Sequence, residues 1–580
     1  MTVVGLFGHA LSSVTATGLP RLALLVLAVL PTACAAPAAN SPAQANAGAP
    51  STPKRITLAM RGDPPGFYNK IVVGVPGSDG LQDLVNVGLL AMTDHGDLRP
   101  ELAEAAPTVE NGQWQVVPDG HMQTTWKLRS NAIWHDGAPF TSDDLLFTMQ
   151  VVTDKELPAF NDAVFSFVDG VEAPDAHTIV ARWGRPFIYA DRLFTNAYAH
   201  ELAMPLPRHL LEDAYKTDKS NFAQLPYWNQ QFVGTGPFKV REMVPSVHTV
   251  VVANDRYVLG RPKLDEIEVR FITDTNAILV NVLSGVVDVT LGRTVSLEQA
   301  LEAQQRGAAR PDIAPFNMQR IWPQFIDPRP VIIGDVRFRQ AMLYALNRQE
   351  LVDTLEAGWT TVPASILPPN ETQYRTAEAG VRQYPYDLQR ATQMIETLGF
   401  TRSADGSFVD SSGEKLTVEI RNTAGDDNQT KVLFSVKNYW ERAGVIVEPY
   451  QISEAQNQDR GYKATRPGFQ FSGGPNGIDA LATLVSWEAP LPETRFVGIN
   501  TARYSSPDYD ALYNRFVTTI PQGERTQVLA QILQHITTNL PILPLYYRTE
   551  ARLIGNRVLN VATRTLESSP AWNVNEWDLL

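Results

Sequence analysis

A single cysteine, Cys34, stands in a chain of 580 residues. No disulfide can form within the chain, and no multi-cysteine zinc or iron–sulfur site can be built. Whatever this sequence folds into must therefore be held by buried apolar surface. The composition allows it, with 44% hydrophobic and 19% charged residues, and the length suffices for two or three domains. The net charge of -13 and the pI of about 5.3 argue against nucleic acid as a partner and against a polybasic contact with a membrane.

The surroundings of Cys34 explain its presence. Arg21 precedes the apolar run Leu22 to Leu30, and the small residues Thr32 and Ala33 lead into the cysteine. A positive residue, a short apolar core and a small-residue cleavage site read as a signal peptide over residues 1–33. The run is too short for a bilayer, which needs roughly 20 apolar residues. It resembles a bacterial lipoprotein signal, in which the cysteine is acylated and becomes the mature N-terminus; Pro31 departs from that pattern. Residues 1–20 are long for the leading part of such a signal, which points to a later translation start. Ala35 to Pro53 contains no charge, no aromatic and no large aliphatic side chain. Such a stretch cannot offset its ordering entropy, so residues 34–53 read as a flexible tether. Signal, cysteine, tether and large body describe a protein of the cell envelope, held at the outer face of the cytoplasmic membrane or in the periplasm by a lipid on Cys34.

The body mixes strands and helices. Arg55 to Met60 alternates and predicts a strand, as does His121 to Ser130, which runs into the turn Trp134 to Gly137. Thr141 with Asp144 predicts a capping box opening a helix to about Val152. Asp335 should cap one long helix stopping at Gly358, and Asp387 a helix ended by Gly399. The stretch Lys431 to Gly444 reads as a further helix, and Ser506 before Pro507 places proline at a first helical position. Alternating strands and helices favour an α/β fold with covered sheets. Trp134, Phe140, Leu145 and Phe147 are expected in a core, and Gly137 and Gly236 at backbone angles closed to side chains.

Signals for other chemistry fail in detail. His200-Glu201 opens HELAM, with Met204 where a zinc protease has its second histidine. Pro76 to Gly80 lacks the first glycine of a nucleophile elbow. Gly473 to Gly477 is followed by no Gly-Lys-Ser/Thr, so it is no phosphate loop. Asp143 and Asp144 sit where they cap a helix and complement its dipole. The expectation is no catalytic residue, no metal and no cofactor; a cell-envelope hydrolase working through unpatterned carboxylates is the weaker alternative.

Blocks along the body carry a resemblance. They are Leu98 to Glu104, Trp126 to Thr148, Gly234 to Val240, Asn254 to Asp274, Leu283 to Val289, Asp335 to Val352, and the later YPYDLQRATQMIETLGF, AGVIVE, YSSPDYDALY and LPILPLYY. In this order the chain resembles the family 5 extracellular solute-binding proteins, the oligopeptide- and dipeptide-binding group. The resemblance implies a type II periplasmic-binding-protein-like α/β fold, with mixed sheets and flanking helices around a hinged cleft. It implies three lobes: lobe I from residues 54–91, 206–330 and 545–580, lobe II from 92–205, and lobe III from 331–544. It further implies a monomer that captures a small solute, a peptide or peptide-like molecule first, and delivers it to the permease subunits of an ABC transporter. A peptide-sensing receptor of the same fold is the alternative role.

The resemblance also carries ligand contacts onto this chain. Val75 to Leu84 looks like a loop that reaches the ligand, making Ser78 and Asp79 candidates. Phe469 to Trp487 looks like the segment where peptide binders pair the ligand's ammonium with an aspartate. Here it brings Gly473, Gly474, Asn476, Asp479 and Trp487, with Asn476 nearest the expected acid, so a ligand without a free ammonium is expected. Arg548, where a peptide binder has tyrosine, offers a planar fork for a carboxylate or phosphate.

Overall fold

The computed structural model describes residues 52–580 except 73–74, 118–119, 162, 196–202, 369–376, 425–426 and 564–567. The signal-like segment, Cys34, the tether through Ser51, and His200 and Glu201 of the HELAM stretch lie outside the described residues.

The strand Arg55–Met60 buries nearly every residue after its first. Its position accounts for that. It lies between the parallel strands Glu266–Phe271 and Val289–Leu291, where side chains on both faces of a sheet are covered. These belong to a ten-stranded mixed sheet. Its order is Ile446–Ile452, Thr417–Thr423, Phe469–Gly474, Ala309–Pro323, Leu543–Gly555, Val289–Leu291, Arg55–Met60, Glu266–Phe271, His248–Ala253 and Phe238–Val244. Ala309–Pro323 and Leu543–Gly555 are the longest strands. They pair antiparallel from Ala309 opposite Gly555 to Ile321 opposite Leu543, and the register shifts between Pro315 and Asn317 and again between Gln319 and Arg320. A separate four-stranded antiparallel sheet follows the order Trp114–Val116, Met122–Lys127, Thr178–Trp183, Val168–Asp175.

Apolar side chains gather in distinct cores. One surrounds Leu58, Leu84, Phe238, Ile267 and Trp577. A second, against the four-stranded sheet, holds Trp126, Trp134, Phe140, Leu145 and Trp183. A third contains Phe338, Leu343, Val418, Trp440 and Phe471, and a fourth Met318, Trp322, Leu481, Tyr509 and Leu529. Each such side chain contributes about 1.5–3 kcal/mol on burial. Residues 187–193 straddle two of the cores. Phe187 and Leu193 pack in the second, whereas Ile188 packs in the fourth and its N–H donates to Val517 O at 3.0 Å.

Helix starts follow the side-chain chemistry read from the sequence. Asp144 accepts from Thr141 N at 2.9 Å, the carboxylate half of the expected capping box of Ser142–Val152, while Asp144 N donates to the Thr141 carbonyl at 3.1 Å. Asp387 accepts from Arg390 N at 2.8 Å, and Ser506 accepts from Tyr509 N ahead of Pro507–Thr518. The long helix expected after Asp335 is instead two, Val336–Tyr344 and Arg348–Leu355. Asn347 caps the second by accepting from Glu350 N. Arg348 turns inward and donates to the carbonyls of Pro363, Pro544 and Tyr384, which a continuous helix would not allow. Gly137 has the left-handed backbone expected of it, φ 98. Gly236 is required for another reason: a Cβ there would meet the backbone carbon of Val85 at 2.3 Å. Among the described residues no helix is long and apolar enough to cross a membrane.

Candidate functional site

The long strand pair crosses the floor of a cavity of about 1370 Å³. Among the described residues its wall is polar, with eight Asn or Gln and seven Ser or Thr side chains, and the one aromatic residue is Phe316. None of the eleven tryptophans lines it.

Three stretches bring most of the candidate residues here. Ser78 and Asp79 sit at the start of a helix, Ser78–Val85, where a loop was expected. Gly77, at φ 92, turns the chain into that helix. A Cβ on Gly77 would lie 2.9 Å from Leu291 O, and one on Gly292 would lie 2.5 Å from Gly77 N. Two facing glycines thus let the helix start dock against the end of Val289–Leu291, and Asp79 complements the positive end of the helix. Gly473 and Gly474 end the strand Phe469–Gly474 opposite Gln319 and Met318. Asn476 and Asp479 follow in the turn beyond. Asp479 accepts from Tyr189 OH at 3.1 Å, a contact from the segment that straddles two cores. Arg548 lies on the crossing strand opposite Asn317. Seven of the eight candidates therefore line one cavity. The eighth, Trp487, is 53% exposed and packs near Tyr513 with ring centroids 6.1 Å apart; it is not part of the cavity wall.

Electrostatics of the wall depend on what each charge already holds. Glu356, buried, receives Thr549 N at 3.0 Å and Thr549 Oγ1 at 2.6 Å. Burial pushes its carboxyl above the usual range, opposed by those two hydrogen bonds and by the neighbouring Arg548 guanidinium. Behind Gly474 lies Arg320, wholly buried, stacked 4.9 Å from the Trp322 ring and donating to Pro475 O. Desolvation lowers its pKa to about 9. Ser472 Oγ accepts from Trp322 Nε1 at 2.9 Å, and Gln319 Nε2 donates to Asn317 Oδ1 at 2.6 Å. This is a rigid hydrogen-bonded wall, suited to holding a polar solute. Among the described residues there is no group of three or more histidine, cysteine or acidic side chains placed to hold a metal ion.

Sequence reasoning missed Arg61, Arg293, Phe316, Asn317, Gln319 and Glu356, all of which line the cavity. A signal existed for two of them. Arg61 follows directly on Arg55–Met60, and Arg293 follows Val289–Leu291 after Gly292, both at the C-terminal ends of parallel neighbours, the end of a parallel sheet where ligands bind.

Residues 97–491 match the sequence profile of the bacterial extracellular solute-binding proteins, family 5. The oligopeptide-binding protein AppA of Bacillus subtilis is 22% identical over 532 residues, covering 90% of this chain and 92% of that protein. An ABC transporter substrate-binding protein, CtaP of Listeria monocytogenes, superimposes with a TM-score of 0.72 at 20% identity, covering 90% of this chain and 99% of that one. NikA of Brucella suis, solved with Fe(III)-EDTA, superimposes with a TM-score of 0.71 at 18% identity, covering 91% of this chain and 100% of its own.

Proposed function

The chain belongs to the bacterial extracellular solute-binding proteins of family 5, and on that premise we propose that it is the extracytoplasmic receptor of an ABC importer. It captures a small polar solute in the cavity and hands it unaltered to the permease. The observation that carries this reading is the 1370 Å³ polar cavity at the crossing of the two long strands, where side chains from several cores meet. Pockets of this kind form where domains adjoin.

In this reading the separate cores mark lobes. Lobe I comprises residues 54–91, 206–330 and 545–580, lobe II residues 92–205 and lobe III residues 331–544. Ala309–Pro323 and Leu543–Gly555 act as the hinge, and ligand selects the closed form by binding it better than the open one. Ser78, Asp79, Gly473, Gly474, Asn476, Asp479 and Arg548 contribute to the ligand shell. Cys34 carries a lipid that holds the body at the membrane, and the body acts as a monomer. Relatives named for oligopeptide binding make peptides and peptide-like molecules the first solutes to try.

Native mass spectrometry of the freshly purified chain identifies what co-purifies in the cavity. Small-angle scattering then compares the emptied and refilled protein. A smaller radius of gyration with ligand, and recovery of the ligand unchanged after long incubation, is the expected result. A chemically altered ligand would turn the reading toward an enzyme.

A further inference from the structure

The cavity wall carries charges of both signs, and they differ in how they are committed. Glu356 holds Thr549, and Asp479 holds Tyr189. Asp79, Glu550 and Arg548 each interact with protein groups too. Arg61 and Arg293 line the same cavity, yet among the described residues neither guanidinium has a hydrogen bond or an ion pair to protein. Arg61 and Arg293 therefore offer a ligand positive charge that no described protein group engages by hydrogen bond or ion pair.

Arg293 is not simply a solvated arginine. Its guanidinium lies 4.9 Å from the centre of the Phe316 ring. Phe316 is the extra residue of the bulge between Pro315 and Asn317, which pair with Thr549 and Arg548 while Phe316 pairs with nothing. Bulges re-aim a side chain where a regular ladder could not. Here the bulge supplies the one aromatic face among the described residues of the cavity, and the arginine lies against it. A cation held against a ring is restrained without occupying its N–H groups, which stay available to an acceptor. An independent observation points the same way. Asn476 is 8% exposed, and its Nδ2 is buried without a hydrogen-bond partner among the described residues. A buried donor of this kind is short of an acceptor, and a ligand oxygen at the wall is one way to supply it.

We propose that the solute carries an anionic oxygen group, a carboxylate or a phosphate, which it presents to Arg293 on the Phe316 ring. Arg61 adds positive potential to the same cavity, and a ligand oxygen satisfies the Asn476 amide. This rests on the solute-binding reading and specifies the ligand class within it. Arg548, with Glu356 beside it, is not the principal anion contact.

Calorimetry on the full body with three matched pairs tests it. The pairs are N-acetyl-trialanine and its C-terminal amide, glucose 6-phosphate and glucose, and glutarate and glutaramide. In whichever pair binds, the anionic member should be favoured by roughly tenfold to a hundredfold, and the preference should fall with added salt. R293A should abolish the preference while leaving the melting temperature of the empty protein unchanged, since the side chain is exposed. Arg293→Lys, which keeps the charge without the planar fork, should restore part of it. The pair that responds separates a carboxylate from a phosphate ligand. Equal affinity within the binding pair, equal weakening of both members by R293A, or binding of none of the six would each overturn the inference. A neutral member that binds as tightly as its anionic partner and compacts the protein in scattering would refute it while sparing the receptor reading; tight binding without compaction would count against the receptor reading instead.

Discussion

Glu356 shows how a single residue can tie the binding wall to the stability of the protein. Its carboxyl is buried, and the Thr549 hydroxyl is one of its two partners. Thr549→Val keeps shape but removes that donor, leaving a buried carboxylate short of a bond. The expected cost is about 1–3 kcal/mol, read as a lower urea midpoint at unchanged slope. Burial already raises this carboxyl's pKa, and the variant raises it further, so the deficit should be larger at pH 8 than at pH 5. His135 carries the opposite sign. Its Nδ1 accepts from Gly234 N, its Nε2 meets Gly236 O, and burial lowers its pKa from 6.5 to about 4. The folded protein refuses a proton that the unfolded chain accepts. Stability from this group is therefore intact above about pH 6.5 and lost as pH falls toward 4, by about 3 kcal/mol in all. Urea titrations from pH 7.5 to 4.5 should show a steeper fall for the native chain than for His135→Gln, because Glu101 and Asp144, shifted the other way by burial, are common to both. Residue type and order foretold the Thr141–Asp144 box and the burial of Trp134 and Phe140. They gave no hint of Trp487 turning outward, because exposure of a tryptophan depends on what the rest of the fold leaves uncovered.

Buried arginines organise whole elements. Arg339 donates to the carbonyls of Leu540, Asn539, Ile333 and Gly334. Two of these end the helix Gln522–Asn539, so the guanidinium answers its last orphan carbonyls and the negative end of its dipole. Burial lowers the Arg339 pKa to about 10, still well above neutrality, so it stays charged. Lysine there keeps the charge but cannot reach four carbonyls, and Arg339→Lys should cost at least about 2 kcal/mol. Thermal unfolding would test this, and an unchanged midpoint would show that Arg339 is dispensable. The break between Val336–Tyr344 and Arg348–Leu355 has the same origin, since Arg348 faces carbonyls contributed by residues far along the chain. Local periodicity ran straight through that point, although Asn347 with Glu350 three residues on was a capping signal that the apolar pattern overrode. Element boundaries set by local capping were legible; those set by distant carbonyls were not. The bulge at Phe316 belongs with the second kind, being defined by the register of a partner strand more than two hundred residues away.

At the scale of the molecule, the architecture was legible because many weak blocks stood in order, whereas the ligand was not, because donors such as Arg61 and Arg293 come together only in the finished sheet. If Cys34 anchors the body, Cys34→Ser should release it from membranes or leave an unprocessed precursor, since acyl chains contribute about 0.8 kcal/mol per buried methylene; unchanged retention on fractionation would refute the anchor. The sheet order has a further consequence for how the chain is made. Leu543–Gly555 lies in the interior of the sheet, between Ala309–Pro323 and Val289–Leu291, although it is synthesised more than two hundred residues after either neighbour. Contacts between segments so distant form slowly, after large loop-closure costs. A chain ending at residue 540 should accordingly be digested by protease at rates typical of unfolded polypeptide, while the full body resists. Until that strand arrives, the growing polypeptide has no completed sheet to lock, and a chain bound for the far side of a membrane remains a thread that a narrow pore can pass.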